Sequence, residues 1–218
     1  MQTGAQVAIE VLSVDKKFGS FSALSGVSVI CEPGKIYGLT GRNGSGKSVL
    51  LKCICGFLIP DAGKIRIFGK TKKRGEMLRE AGIIIEEPAF LGKKSGIKNL
   101  EYLYGIRNRM DRKRLEETML QVGLDPGERK PVEKYSLGMR QRLAIAQALM
   151  EDPQILILDE YLNGLDRQGA KEIRDLLLSW KERGKTILLT SHSREDMEIL
   201  CDQVFEMDGG KLFCRKRE

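Results

Sequence analysis

The sequence of 218 residues predicts an α/β fold in which both ends of the chain contribute to one core. Two observations support this prediction. Short apolar runs typical of buried strands recur in the first and last parts of the chain. Residues 97–150 instead show helical patterns and no convincing strand. We therefore expect a single domain over residues 1–218, with an α/β core formed by 1–86 and 151–218 and a helical segment, 87–150, inserted into it.

Eight runs have the length and the apolar, β-branched composition of strands. The run GIIIE is continuously apolar before its acid, which is typical of a strand buried on both faces. In chain order the eight are VAIEVLSV (7–14), VSVIC (27–31), KIYGLT (35–40), KIRIFG (64–69), GIIIE (82–86), QILILD (154–159), KTILLTS (185–191) and QVFEMD (203–208).

Helical patterns fill the remaining segments. A helix around KEIRDLLLSWKERG (171–184) ends at a glycine, a common helix stop. Three more lie in the inserted segment: IKNLEYLYGIRNRM (97–110), RKRLEETMLQVG (112–123) and MRQRLAIAQALM (139–150).

The composition is that of a soluble globular protein, with 41% hydrophobic and 31% charged residues. No stretch reaches the roughly 18 unbroken apolar residues of a membrane span, and the first ten residues do not resemble a signal peptide. Five cysteines are irregularly spaced, and Cys53 and Cys55 lie in an apolar run. They are more typical of reduced core thiols than of a metal site, so we expect a cytoplasmic protein.

The net charge of +7 is concentrated in basic clusters at 70–74, 107–114 and 215–217. Nucleic acid, an anionic membrane surface or a phosphorylated ligand would be attracted to them. The alternative is that the basic clusters are solvated helix and loop faces. The acids interleaved through RNRMDRKRLEETML favour this simpler interpretation.

A phosphate-binding loop is indicated by G-x-x-x-x-G-K-S, which follows an apolar strand and precedes a helical pattern. Glycines allow backbone N–H groups to point at phosphate oxygens, and the helix start adds its positive dipole end. Lys47 would reach the β- and γ-phosphates and Ser48 would ligate Mg²⁺. The alternative, a plain glycine-rich turn, does not explain the flanking elements. The candidate ATP-binding residues here are Gly41, Arg42, Asn43, Gly44, Ser45, Gly46, Lys47, Ser48 and Val49.

Two acids end the apolar run QILILDE. In a protein with a phosphate-binding loop, an acid at such a strand end meets Mg²⁺, which assigns Asp159 as a metal ligand. Glu160 would polarise the attacking water as general base, a contribution of about 10²–10⁴-fold in rate. A solvated strand end is the alternative interpretation.

Two further residues are candidates by position. His192, the sole histidine, follows the apolar run TILLTS and is placed to reach a γ-phosphate, although a loop histidine is often only a surface residue. Phe18, in KKFGSF, would stack on an adenine ring or pack beneath a hairpin.

Residues 135–160 complete a recognisable combination. With the motifs in the order aromatic residue, phosphate loop, YSLGM, acidic strand end, NGLD and histidine, the whole chain resembles the nucleotide-binding subunit of an ATP-binding cassette (ABC) transporter. The resemblance implies a P-loop NTPase core, with a RecA-like mixed sheet and an antiparallel β subdomain, and an inserted helical subdomain. It also implies a homodimer on ATP binding, in which the signature of one subunit completes the site of the other. The implied signature is Ser136, Leu137, Gly138 and Met139, and the implied D-loop is Asn163, Gly164, Leu165 and Asp166.

The chain departs from the family pattern at both interface motifs. The usual signature is Leu-Ser-Gly-Gly-Gln, whereas this chain has Leu137 for the first glycine and Met139 for the glutamine. Backbone and serine donors should still form, because Ser136 and Gly138 are retained. The D-loop has Asn163-Gly164 where Ser-Ala is usual.

The stretch IIIEEPAF raises the question of whether its acids are a solvated strand end or part of a reaction. Aligned on Pro88, Glu86 occupies the position of a family glutamine that contacts Mg²⁺ and the attacking water. The resemblance therefore implies a metal-binding and catalytic role for Glu86, whereas Glu87 is expected to be a solvated neighbour. Glutamate at this position, with YSLGM, is similar to the subgroup of bacitracin-resistance and lantibiotic-immunity exporters.

The resemblance implies an ATP- and Mg²⁺-dependent subunit, peripheral on the inner face of the cell membrane. It would power export of a peptide antibiotic or lantibiotic-like substrate through integral membrane permease subunits on other chains, with residues 87–105 contacting them. A soluble ABC ATPase acting on nucleic acid or ribosomes, and a regulatory module with little turnover, are the alternatives. Such soluble relatives generally carry two cassettes or a long coiled-coil insertion, so no direct nucleic-acid binding is expected.

Overall fold

The computed structural model describes residues 7–86 and 89–215 of the chain. Ten strands are present in this described part. They are β1 (Ile9–Phe18), β2 (Phe21–Cys31), β3 (Ile36–Thr40), β4 (Ala62–Ile67), β5 (Lys70–Thr71), β6 (Ala81–Ile84), β7 (Ile155–Asp159), β8 (Thr186–Thr190), β9 (Gln203–Asp208) and β10 (Lys211–Arg215).

Six α-helices and one short 3₁₀ helix accompany the strands in the same residues. The helices are α1 (Lys47–Cys55), α2 (Gly96–Gly105), α3 (Arg112–Gln121), α4 (Leu137–Leu149), α5 (Arg167–Glu182) and α6 (Arg194–Leu200), with the 3₁₀ turn at Val132–Lys134.

The strands form two sheets. The larger has the order β10-β9-β3-β8-β7-β6, in which the five strands from β9 to β6 are parallel and β10 is antiparallel to β9. The smaller is the antiparallel sheet β2-β1-β4-β5. Because β3, β6, β7 and β8 are parallel, the loops that follow them emerge at one edge of the larger sheet, where open α/β sheets bind ligands.

Two apolar clusters hold these layers together. One joins the smaller sheet to α1 and one face of the larger sheet, and includes Leu39, Leu51 and Ile157. The other joins the opposite face to the helices of the inserted segment, and includes Leu100, Leu143 and Leu158. Neighbouring residues of β7 therefore enter different clusters, which explains why its sequence is apolar without alternation.

The regular elements in residues 97–150 are helices, as the sequence predicts. Helices α2, α3 and α4 and the 3₁₀ turn all lie between β6 and β7, and no strand occurs in residues 97–150. Tyr135 is buried in this segment, where its hydroxyl accepts a hydrogen bond from the Gly96 N–H at 3.2 Å. The exact limits 1–86, 87–150 and 151–218 remain predictions.

All eight predicted strands occur, but the hairpin near the N-terminus is longer than its apolar runs suggest. β1 continues to Phe18 and β2 begins at Phe21, so the polar residues between the two runs are also paired. The β1–β2 register shifts after Val11, where Ser13 adopts φ 47°, and such bulges break the alternation on which strand prediction depends. β5 and β10, both edge strands, were missed.

Four of the five cysteines are buried, as the sequence predicts for core thiols, but Cys214 on the edge strand β10 is exposed. Cys31, Cys53 and Cys55 are buried, and burial raises the pKa of the three thiols to about 12, 11 and 12 respectively. They are therefore protonated at neutral pH. None of the helices in residues 7–86 and 89–215 is both long and apolar enough to cross a membrane.

Candidate functional site

The phosphate loop connects β3 to α1 and depends on glycine at specific positions. Gly41, Gly44 and Gly46 have φ values of 143°, 77° and 111°, a region that side chains rarely adopt. A Cβ on Gly41 would lie 2.2 Å from the Met207 carbonyl oxygen, and one on Gly46 would lie 2.5 Å from the Ala23 carbonyl oxygen. Gly44 instead faces open space, so a ligand can approach the backbone there.

The loop provides donors suited to a polyphosphate. Helix α1 begins after Gly46, and no side chain caps the N–H groups of its first turn. Lys47 is 7% exposed, and its Nζ donates to the carbonyl oxygens of Gly41 at 2.7 Å and Arg42 at 3.2 Å. The buried Ser45 hydroxyl has no hydrogen-bond partner among residues 7–86 and 89–215. These features fit the phosphates of a nucleotide.

An oxygen pair lies directly beside the loop. The Ser48 hydroxyl donates to Asp159 Oδ2 at 2.7 Å, which joins the start of α1 to the end of β7. A hydroxyl and a carboxylate are oxygen ligands of the kind that Mg²⁺ uses when it also binds substrate phosphates. The two residues therefore fit the metal-binding role that the sequence suggests for them.

Thr190 is part of the site, although the sequence analysis missed it. It ends β8 opposite Asp159 in the parallel register, and it is fully buried. Its hydroxyl donates to Asp159 Oδ1 at 2.5 Å and accepts the Glu160 N–H at 3.0 Å. One side chain thus holds both acids of the motif. A polar residue at the end of the neighbouring apolar run was the available signal.

Glu160 is held on both carboxylate oxygens. His192 Nε2 lies 2.8 Å from Oε1, and the Asn163 side-chain amide donates to Oε2 at 3.0 Å. The pKa of the Glu160 carboxyl is lowered from its ordinary value, first by the Asn163 hydrogen bond, against an opposing effect of burial, and then by His192 and Lys47. The carboxylate is therefore ionised at neutral pH and able to accept a proton. The sequence places Glu160 and His192 at this edge, but it does not show that Asn163 contacts the same group.

A cleft of about 580 Å³ opens in front of the loop. Phe18 and Phe21, paired across the β1–β2 hairpin, line it on one side and are 48% and 59% exposed. Lys16 Nζ lies 5.5 Å from the centre of the Phe18 ring. Phe21 was missed by the sequence analysis, and its position three residues after Phe18 in KKFGSF was the available signal. The other lining residues are Ala23, Asn43, Gly44, Gly46, Lys47, Ser48, Val49 and Glu160.

The signature residues lie apart from this cleft and line a separate cavity of about 430 Å³ together with the D-loop. Ser136 is the N-cap of α4, and its hydroxyl accepts the Met139 N–H at 3.2 Å. Leu137 is 48% exposed. Gly138, Leu165 and Asp166 line the same cavity, and Asp166 also caps α5 by accepting the Gly169 N–H at 2.8 Å. Within one protomer, the signature therefore does not line the cleft at the phosphate loop.

Glu86 lies at the same sheet edge but does not line the cleft. It follows β6, whose Ile84 pairs with Leu158 of β7, and its φ is 65°. Its carboxylate is 71% exposed and pairs with Lys52 Nζ at 2.5 Å. Lys52 lies one turn after Ser48 on α1. The structure thus places Glu86 beside the loop helix, on Lys52. Glu87 and Pro88 lie outside the described residues.

The site and fold are those of an ABC cassette, and comparison with known proteins establishes the family. The family model described as ABC transporter matches residues 24–163. The chain belongs to this family: it is the ATP-binding subunit of an ABC transporter and has the cassette of an ABC ATPase.

Three curated relatives illustrate the similarity. The uncharacterized ABC transporter ATP-binding protein YybJ of Bacillus subtilis is 40% identical over 205 residues, or 94% of each chain. The bacitracin transport ATP-binding protein BcrA of Bacillus licheniformis is 39% identical over 207 residues, which cover 94% of this chain and 68% of BcrA. The lantibiotic transport ATP-binding protein SrtF of Streptococcus pyogenes is 34% identical over 208 residues, covering 95% and 90%.

A solved structure confirms the fold class. The ATP-binding cassette MJ0796, solved as a dimer in a post-hydrolysis state with ADP and Pi, superposes with a TM-score of 0.85 at 24% identity, covering 96% of this chain and 99% of that one. The predicted α/β core with an antiparallel β subdomain and a helical subdomain is therefore confirmed.

Proposed function

We propose that the chain hydrolyses Mg²⁺-bound ATP with Glu160 as general base, and that this reaction powers export of a peptide antibiotic through separate membrane subunits. The observation that carries the first part is the position of the Glu160 carboxylate. It is fixed by His192 and Asn163 at the end of β7, next to the Ser48–Asp159 pair and on the wall of the phosphate-loop cleft.

In the proposed complex, the phosphates lie against the loop N–H groups and Lys47, and the adenine ring stacks on Phe18. Ser48 and Asp159 hold Mg²⁺, which polarises the phosphate oxygens when bound. Glu86 is proposed to approach this ion as well, after leaving Lys52.

The hydrolytic step requires a base and a positioned water. Glu160 takes a proton from water as the water oxygen bonds to the γ-phosphorus. The bond from that phosphorus to the bridging oxygen of ADP breaks, which releases ADP and phosphate. His192 keeps Glu160 Oε1 in place and is also proposed to reach the γ-phosphate. The backbone N–H of Glu160 is fixed by Thr190, which attaches the base to the end of β8.

ATP is proposed to close a homodimer. In one protomer, the cavity formed by the signature and the D-loop is open and separate from the cleft. Ser136 and the N-terminal turn of α4 would supply donors to the nucleotide of the facing protomer. The solved dimer of MJ0796 shares this fold.

The proposed docking surface for the permeases lies on the helical segment near Glu86. Leu91, Tyr102 and Ile106 are 54%, 53% and 74% exposed there. Apolar side chains exposed in one region are typical of a protein–protein contact. Leu91 and Tyr102 support the proposed contact within the segment 87–105, and Ile106 directly follows that segment.

The basic cluster at 107–114 supports transport rather than nucleic-acid binding. Two of its four arginines are paired with acids: Arg107 with Glu151 at 3.5 Å, and Arg112 with Glu101 and Glu116 at 2.9 and 2.8 Å. This pairing reduces the charge that these two arginines offer to phosphates. Purified protein should accordingly show no salt-sensitive binding to DNA or RNA.

The substrate proposal rests on the relatives named for bacitracin and lantibiotic transport. Its test is the susceptibility of the host strain. Deleting the gene should make cells more sensitive to bacitracin or to a lantibiotic, and the wild-type gene should restore resistance where Glu160→Gln does not. Unchanged sensitivity to both classes of peptide would refute the substrate while leaving the ATPase proposal intact.

A further inference from the structure

The two residues at which the D-loop departs from its family pattern each contact a different functional group. Asn163 donates its side-chain amide to Glu160 Oε2 at 3.0 Å. Its backbone N–H also donates to the Glu160 carbonyl at 3.2 Å, so the two residues are joined in one turn. Asn163 itself is exposed, and the turn rather than a buried core holds it in place.

Gly164 contacts the signature. Its φ is 79°, and an added Cβ would lie 2.3 Å from Leu137 Cγ and 2.5 Å from Leu137 Cδ2. The leucine that replaces the usual signature glycine therefore rests directly on the glycine that replaces the usual D-loop alanine. The two departures are complementary. The signature gains a leucine side chain where the family has glycine, and the D-loop loses the alanine methyl group that this leucine would meet.

A second contact fixes the same two segments. Gln141, one turn after Leu137 on α4, donates its side-chain amide to the Tyr161 carbonyl at 2.7 Å. Tyr161 is fully buried, so this end of the connection is anchored in the core. The start of α4 and residues 160–164 are thus joined at both Gly164 and Tyr161, with the Glu160 carboxylate attached through Asn163.

We propose that Asn163 is a positioning residue for Glu160, and that Leu137 resting on Gly164 sets the position of Asn163. This inference rests on the proposed function of Glu160 as the base and of the signature as a contact to the facing protomer's nucleotide. Displacement of the signature by that nucleotide would move Gly164 and, through Asn163, the base of its own subunit.

The first test replaces the amide of Asn163. Asn163→Ala and Asn163→Asp both remove the donor to Glu160, and the second keeps the shape of the side chain. Both should lower the kcat for ATP about tenfold or more, while the KM and the affinity for a fluorescent ATP analogue stay within about twofold. Asn163→Gln, which retains an amide, should recover part of the loss. A kcat unchanged by both donor-removing variants would overturn the inference.

The second test is a double-mutant cycle between Leu137 and Gly164. Gly164→Ala should lower kcat about tenfold or more in the wild-type background, because its Cβ meets Leu137. In the Leu137→Gly background, the same substitution should lower kcat only about threefold, the remainder reflecting the strained φ. The same coupling should appear in ATP-driven dimer formation, measured by size-exclusion chromatography. For this measurement every protein of the cycle also carries Glu160→Gln, so that ATP is not turned over.

The outcomes separate this inference from the proposed function. Equal losses for Gly164→Ala in both backgrounds would show that Leu137 does not act on Gly164. If the wild type turns over, Glu160→Gln does not, and the Asn163 and Gly164 variants show neither effect, only the inference fails. If Glu160→Gln turns over at the wild-type rate, the proposed function itself is wrong.

Discussion

Replacing Thr190 by valine should damage both the stability and the activity of the protein. Valine has nearly the shape of threonine, so packing at the end of β8 is retained. It leaves the Glu160 N–H without its acceptor and deprives Asp159 of a donor. An unsatisfied buried N–H costs about 1–3 kcal/mol, and a hydrogen bond to a charged group is worth about 1.5–3 kcal/mol.

Since the two effects share one hydroxyl, we expect them to add incompletely, to a loss of about 2–4 kcal/mol in the free energy of unfolding. For a chain of this size, that corresponds to a fall of about 5–15 °C in Tm, which a calorimetric scan would detect. The kcat for ATP should fall about tenfold or more, because both acids lose the residue that orients them.

Thr186→Val is the matched control at the other end of the same strand. Its hydroxyl is also buried, but it accepts only the Gly34 N–H, at 3.2 Å and away from the site. It should lower Tm without changing kcat, and Thr190→Ser should restore most of the activity. If Thr190→Val turns over like the wild type, Thr190 does not position the acids and the geometry assigned to this edge is wrong.

Three further changes test other parts of the structure. Gly46→Ala should abolish nucleotide binding in a fluorescence titration, because its Cβ would meet the Ala23 carbonyl oxygen and its φ is strained; retained affinity would contradict the assigned loop. Phe18→Ala should raise the KM for ATP about tenfold with kcat nearly unchanged, as expected for a lost stacking contact of about 1–3 kcal/mol, and an unaltered KM would remove Phe18 from the adenine site. Asp196→Ala should lower the free energy of unfolding by about 1.5–3 kcal/mol, since the largely buried Arg174 would lose its buried partner at 2.7 Å and keep the exposed Glu195 at 3.1 Å; a denaturant titration with an unchanged midpoint would contradict this.

The core strands can be predicted from the sequence because burial on both faces requires apolar residues. β3, β6, β7 and β8 lie between two layers, and their composition is accordingly apolar. β10 is mostly exposed and ends the sheet, so its composition differs little from that of a loop. β1 extends through polar residues because it is paired by backbone hydrogen bonds, which composition does not report.

The candidate site shows a similar division. Gly46, Ser48 and Asp159 are recognisable because a phosphate loop and its acid have fixed spacing and flanking elements. The contacts of Thr190 and Asn163 depend on which strands are neighbours and on how one loop turns, and no local pattern encodes either.

The departures in the signature and the D-loop illustrate the same limit. Considered separately in the sequence, Leu137 and Gly164 are two unrelated changes, 27 positions apart in the numbering. Their complementarity becomes visible only when α4 is placed against residues 160–166, where the leucine occupies the space that the glycine leaves.

The most direct test of the central claim is the ATPase rate of Glu160→Gln beside that of the wild type, with nucleotide affinity measured on both. Glutamine keeps the shape of the side chain and removes the proton acceptor. The proposed mechanism predicts a fall in kcat of about 10²–10⁴-fold with ATP bound as tightly as before. Turnover at the wild-type rate would contradict the assignment of Glu160 as the general base.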